Sequence, residues 1–136
     1  MNRVERFVDT AYWLAILGSR DRYHARALAL SDEVSGPLVT TDAVIFEVAN
    51  ALSRPPWREL AIDFLHNVET DPNPTIVRLT PTLYECTVSL YAARADKSWG
   101  LTDCLSFVIM GDRGIREALT ADHDFEQAGF RALLAQ

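Results

Sequence analysis

Apolar and polar positions along this chain change repeatedly between a strand-like and a helix-like rhythm. Arg6-Phe7-Val8 is a short strand pattern stopped by Asp9-Thr10, two residues suited to helix capping. A helix is predicted from there to Leu17, closed by Gly18-Ser19. Asp21 is placed to cap a second helix, with Tyr23, Ala27, Leu30 and Val34 as its inner stripe, and Gly36-Pro37 breaks it. Leu38-Val39-Thr40 predicts a second strand, after which Thr41-Asp42 caps a helix with the stripe Ile45, Val48, Ala49 and Leu52. Pro55-Pro56 is expected to start the next helix, because proline is tolerated in a first turn. Its stripe is Trp57, Leu60, Ala61, Phe64, Leu65 and Val68.

The second half repeats the alternation. Ile76-Val77-Arg78-Leu79 predicts a third strand. Thr80-Pro81 opens a helix to about Ala95, whose buried face is predicted at Leu83, Cys86, Leu90 and Tyr91. A loop from Asp96 to Gly100 leads into an apolar helix starting near Leu101, ended by Gly111 and Gly114. Ala118-Leu119-Thr120 predicts a fourth strand, followed by one helical turn and a last edge strand near Phe130-Arg131-Ala132. Strands alternating with helices predict an α/β fold, a three-layer α/β/α sandwich around a mostly parallel sheet of four to five strands. With 136 residues and 49% hydrophobic content, one domain over residues 1–136 with a real core is expected.

Four acids interrupt this apolar pattern. Asp9 ends the first strand, and Asp122 follows the Ala118-Leu119-Thr120-Ala121 run. Glu47 is the only charge between Ala43 and Leu52, and Asp103 the only charge between Leu101 and Met110. Burying an ionised carboxylate is costly unless a partner or a metal compensates it. Ligands of parallel α/β sheets sit beyond the carboxyl ends of the strands. Asp9 and Asp122 directly follow strands, and Glu47 and Asp103 lie early in helices that start at that same edge. A plainer explanation exists for each alone: a cap for Asp9 or Asp122, a dipole-favoured first-turn acid for Asp103, and a partly exposed helix position for Glu47. Together they point to one shared site. Gathered carboxylates repel one another, and a hard divalent cation removes that cost. Such a site suits phosphoester hydrolysis.

Net charge is -6, a poor match to bulk electrostatic binding of nucleic acid, although a metal in an acidic pocket inverts the local field. Arg54, Arg58, Arg94, Lys97, Arg113 and Arg116 are candidates to line a groove. Cys86 and Cys104 are expected to be reduced, buried thiols, and the three histidines share no metal-ligand spacing. Trp13, Trp57 and Trp99 are expected in core packing, with partner surfaces as the other possibility. No apolar run is long enough to span a membrane, and Phe7 to Leu17 contains Asp9 and lacks a cleavage site, so a cytoplasmic protein is expected. No phosphate-binding glycine loop, dinucleotide fingerprint, serine-hydrolase elbow or zinc-protease motif is present. A phosphatase of the haloacid-dehalogenase kind needs an acid two residues after the first, where Ala11 stands. A receiver-type signalling domain needs an acidic pair and a late lysine at the sheet edge, which the sequence lacks.

Phe7-Val8-Asp9-Thr10, Glu47 with Asn50, the run Asp96-Lys97-Ser98-Trp99-Gly100-Leu101-Thr102-Asp103-Cys104, and Ala118-Leu119-Thr120-Ala121-Asp122-His123-Asp124-Phe125 together resemble the PIN-domain family. The likeness is to its toxin ribonucleases of the VapC kind, and it covers essentially the whole chain. It implies a metal-dependent endoribonuclease using Mg²⁺ or Mn²⁺, with Asp9 and Asp103 holding the main cation and Glu47 and Asp122 completing the acidic pocket. Thr10, Asn50 and Asp124 match supporting polar positions, and Asp96 matches a less central acid whose plainer explanation is a solvated loop residue beside Lys97. A small antitoxin partner, a homodimer and an RNA substrate are implied in the same way. Two other possibilities stay open: a catalytically silent binding or scaffold module on the same fold, and an RNA-processing nuclease with no antitoxin.

Overall fold

The strand Arg6–Val8 (β1) runs through the middle of a five-stranded sheet in the computed structural model, which describes residues 4–135. The expected domain limits at residues 1–3 and 136 lie outside the described residues. The helices Thr10–Leu17 (α1) and His24–Glu33 (α2) lead to strand Leu38–Thr41 (β2), and helices Asp42–Ala51 (α3) and Arg58–Thr70 (α4) lead to strand Thr75–Val77 (β3). Helices Pro81–Ala93 (α5) and Leu101–Arg113 (α6) then precede strand Glu117–Leu119 (β4), and helix His123–Gln127 (α7) precedes strand Arg131–Ala132 (β5) and a closing 3₁₀ turn. Sheet order is β3-β2-β1-β4-β5, and every pairing is parallel. Phe7 sits opposite Val39 on one side and Ala118 on the other. The chain moves outwards on one side of β1 and then returns to build on the other, so the switch in strand order lies between β1 and β4.

Side-chain alternation along the strands sorts the core into two layers. Phe7, Val39 and Ala118 face a cluster with Val44, Val48, Phe64, Phe107 and Phe125. Val8 and Leu119 face the opposite cluster with Tyr12, Ala27, Leu30 and Leu134. The aromatic centre of the larger layer is Phe107, whose ring lies 5.0 Å from Trp99, 4.9 Å from Phe125 and 5.8 Å from Phe130. Helix starts are fixed locally: Thr41 Oγ1 accepts the Val44 N–H, and Thr80 Oγ1 accepts the Leu83 N–H. Gly114 ends α6 in the left-handed region at φ 67°, where a side chain would be strained.

Several expectations are corrected. Asp21 does not cap α2; its Oδ1 accepts the Tyr23 N–H in a local turn, and the helix starts at His24. Pro55 and Pro56 precede α4 in a turn, and Trp57 is half exposed. Trp99 packs in the core and Trp13 against it, as expected. Cys86 and Tyr91 are exposed, because α5 lies at the rim and meets its neighbours through the narrower stripe Leu83, Thr87 and Leu90. Cys104 is buried. β3 ends at Val77, and the Leu79 N–H donates instead to Asp42 Oδ2. No helix among the described residues is long and apolar enough to cross a membrane.

Candidate metal centre

Asp9 is 5% exposed at the carboxyl end of the central strand. Its backbone, not its side chain, serves α1: the Asp9 carbonyl accepts the Tyr12 N–H at 3.2 Å, while the carboxylate makes no capping bond. The capping explanation for this acid therefore leaves its charge unaccounted for. The carboxylate accepts a 2.8 Å hydrogen bond from Thr120 Oγ1, which lies just beyond β4. Burial pushes the Asp9 carboxyl up to about 6; hydrogen bonding from Thr120 and the adjoining Thr10 N–H works the other way, and the charges of Glu47 and Asp122 push it up further.

Asp103 occupies the first turn of α6. It is pushed up to about 7, first by burial and then by Asp9, Asp122 and Glu47. Two helices, α3 and α6, and the two chain segments that follow β1 and β4 thus bring Asp9, Glu47, Asp103 and Asp122 together at the β1/β4 switch point. The negative charges of Glu47 and Asp122 make both Asp9 and Asp103 harder to ionise, and Asp9 adds to the effect on Asp103.

Glu47 is exposed, as its plainer explanation has it, since α3 turns Phe46 and Glu47 outwards. It is nevertheless held in place, because Thr10 Oγ1 donates to Glu47 Oε1 at 2.7 Å. Asn50 shares an open hollow with Glu47, Phe46 and Thr102. Asp122 both faces the site and caps α7, where its Oδ1 accepts the Asp124 N–H at 2.9 Å. Asp122, His123 and Asp124 form a compact group whose ligand atoms all lie within 4.8 Å of one another. His123 was not distinguished by sequence spacing, because the signal lay in the turn geometry of adjacent residues.

Asp96 is placed differently. Arg94 binds it through Nε and Nη2, both at 3.0 Å, and holds its carboxyl down at about 2. Neither Asp96 nor Asp124 figures among the charges acting on Asp9 or Asp103. Arg113 and Arg116 do not reach this edge. They flank the start of β4 at the opposite end of the sheet, where Arg113 pairs with Glu5 at 2.8 Å. Thr120 is the residue the sequence reading missed. Its signal was weak: a threonine two positions before Asp122, on the same side of an extended segment.

The residues fit a hard divalent cation. They offer carboxylate oxygens, and two of those carboxyls resist ionisation without a compensating positive charge.

Comparison with known proteins identifies a family and relatives. A model of the family described as PIN domain matches residues 6–131. The 23S rRNA-specific endonucleases VapC20 of two Mycobacterium tuberculosis strains, CDC 1551 / Oshkosh and ATCC 25618 / H37Rv, are each 26% identical over 124 residues, covering 91% of this chain and 94% of the relative. The crystal structure of Mycobacterium tuberculosis VapC20, described as a sarcin–ricin loop cleaving toxin, superposes with a TM-score of 0.85 at 25% identity. That match covers 91% of this chain and 95% of the other.

Proposed function

This chain belongs to the PIN-domain family, and from that membership we propose that it is a Mg²⁺- or Mn²⁺-dependent endoribonuclease, the toxin of a type II toxin–antitoxin pair acting in the cytoplasm. The observation that carries this reading is the gathering of Asp9, Glu47, Asp103 and Asp122 at the β1/β4 switch point, where burial and neighbouring carboxylates push the Asp9 and Asp103 carboxyls up.

Asp9 and Asp103 are the principal cation ligands, being the two acids of the set whose carboxyls are pushed up. Glu47, steadied by Thr10, and Asp122, steadied by its own turn, complete the pocket. Asn50 and Asp124 support it from the rim, and Asp96 serves as the partner of Arg94. A divalent cation, when bound, supplies charge neutralisation and Lewis-acid activation for phosphodiester hydrolysis. The protein's own residues hold the acidic oxygens in fixed positions and keep the Asp9 side of the pocket away from bulk water. RNA carries its own negative charge and would be repelled by four bare carboxylates. Ribosomal RNA is the favoured substrate class, following the relatives' activity. A small antitoxin partner and a homodimer follow from family membership.

The test is incubation of total RNA with the protein in Mn²⁺ or in EDTA, comparing wild type with Asp9→Asn and mapping the cut sites. Discrete cleavage in Mn²⁺ is expected for wild type, with none in EDTA and none from a folded Asp9→Asn variant. Cleavage by that variant equal to wild type removes Asp9 from the mechanism. A wild-type protein that neither cuts RNA nor gains thermal stability from Mn²⁺ is the silent scaffold instead.

A further inference from the structure

A cavity of about 550 Å³ opens between the end of α5 and the start of α6, with Tyr91, Arg94, Lys97, Trp99, Gly100 and Cys104 in its walls. It adjoins the acidic site. Gly100 belongs to both, since a Cβ on this residue would stand 3.8 Å from Asp103 Oδ2, and Cys104 follows Asp103 directly. The two cations in this cavity are not equivalent. Arg94 is fixed: its guanidinium binds both oxygens of Asp96 at 3.0 Å and lies 5.0 Å over the Trp99 ring. Lys97 Nζ stands 3.9 Å from Asp96 Oδ2, beyond hydrogen-bond distance. Lys97 is therefore ion-paired with Asp96 only loosely, and its ammonium keeps donors for another acceptor.

Two further features ask for a ligand. Trp99 is 6% exposed, and its Nε1–H finds no acceptor among the described residues. Tyr91 exposes 52% of its surface at the cavity wall, although it lies on an α5 position that the helical pattern would assign to the core. An ammonium beside an exposed aromatic ring matches the two needs of single-stranded nucleic acid, a phosphate contact and a stacking platform.

We propose that this cavity binds the nucleotide next to the scissile phosphate, with its phosphate on Lys97 and its base against Tyr91. The assignment rests on the ribonuclease reading above and adds a substrate-positioning role for two residues outside the acidic set. In a chain of net charge -6, it places a cation in a cavity that shares Gly100 with the acidic site, where it offers an approaching polyanion a contact of opposite sign.

Two measurements test it. In cleavage kinetics with Mn²⁺, Lys97→Ala is expected to raise KM about tenfold with kcat within about twofold of wild type, and Lys97→Arg to recover most of the loss. The Mn²⁺-induced rise in melting temperature should be the same in all three proteins. Independently of any activity, a labelled mixed-sequence RNA oligonucleotide is titrated at low and moderate salt against Asp9→Asn and against the Asp9→Asn/Lys97→Ala double variant. The double variant is expected to bind about tenfold more weakly, with a salt slope reduced by about one. Tyr91→Ala should weaken binding where Tyr91→Phe does not. Equal RNA affinity with and without Lys97 overturns the inference, even if the protein is an active nuclease, and leaves the cavity to an acidic protein segment. Weakened binding with no cleavage by wild type counts against the ribonuclease reading and overturns the placement beside a scissile phosphate, leaving Lys97 and Tyr91 as an RNA-binding pair only.

Discussion

Thr120 Oγ1 donates a 2.8 Å hydrogen bond to Asp9 Oδ2, joining residues 111 positions apart across the seam between β1 and β4. The same oxygen accepts the Asp122 N–H at 3.1 Å. One buried hydroxyl therefore orients the most deeply placed acid of the site and the backbone that carries another. Since Thr120 is 0% exposed, nothing else can take its place without repacking.

Thr120→Val keeps the shape and removes the hydroxyl. The acids should then lose their alignment, and apparent Mn²⁺ affinity should fall about 10- to 100-fold, the usual effect of losing a group that orients a metal ligand. Thr120→Ser should retain wild-type affinity. Titration of Mn²⁺ against melting temperature measures both, and an unchanged midpoint in Thr120→Val would show that Asp9 needs no such support.

The raised carboxyls make the metal-free protein less stable as pH rises. Between pH 4 and 6, folded Asp9 keeps a proton that the unfolded chain has released. The stability carried by that proton is complete at acid pH and is lost as pH climbs through about 6, with Asp103 following near 7. For Asp9 alone the loss is about 3 kcal/mol, from two pKa units at about 1.4 kcal/mol each. Asp9→Asn removes this penalty. In EDTA, urea unfolding should show the variant gaining on wild type by up to about 3 kcal/mol between pH 4 and pH 8. A difference that stays constant with pH would contradict the shift.

A divalent ion must displace those same protons in order to bind. The Mn²⁺-induced increase in melting temperature should accordingly be small at pH 5 and large at pH 8. Thermal unfolding with and without a fixed Mn²⁺ concentration at the two pH values decides this. Equal increases at both would mean that the ion binds elsewhere.

Phe107 meets Trp99, Phe125 and Phe130 beneath the acidic edge and is 6% exposed. Phe107→Ala should cost about 3–5 kcal/mol of stability, through lost burial and an unfilled cavity. Denaturant unfolding reads the loss directly, and a cost below about 1 kcal/mol would mean that the neighbouring rings close over the gap.

The order of amino acids is enough to read the alternation of strands and helices, the parallel α/β class and the places of Asp9, Glu47, Asp103 and Asp122 along it. These depend on local signals: apolar periodicity, capping residues, and charges interrupting apolar runs. The helices predicted from Asp21 and Pro55 start later, at His24 and Arg58, because turn chemistry and capping use the same residue types. It takes the packed molecule to show that Cys86 and Tyr91 face outwards, because the width of a buried stripe depends on how many neighbours a helix has. It alone shows that Arg113 lies at the far end of the sheet, that Arg94 takes Asp96, and that Thr120 reaches Asp9. Each of these is a contact between segments remote along the chain, and periodicity within one segment carries no information about which other segment it will meet.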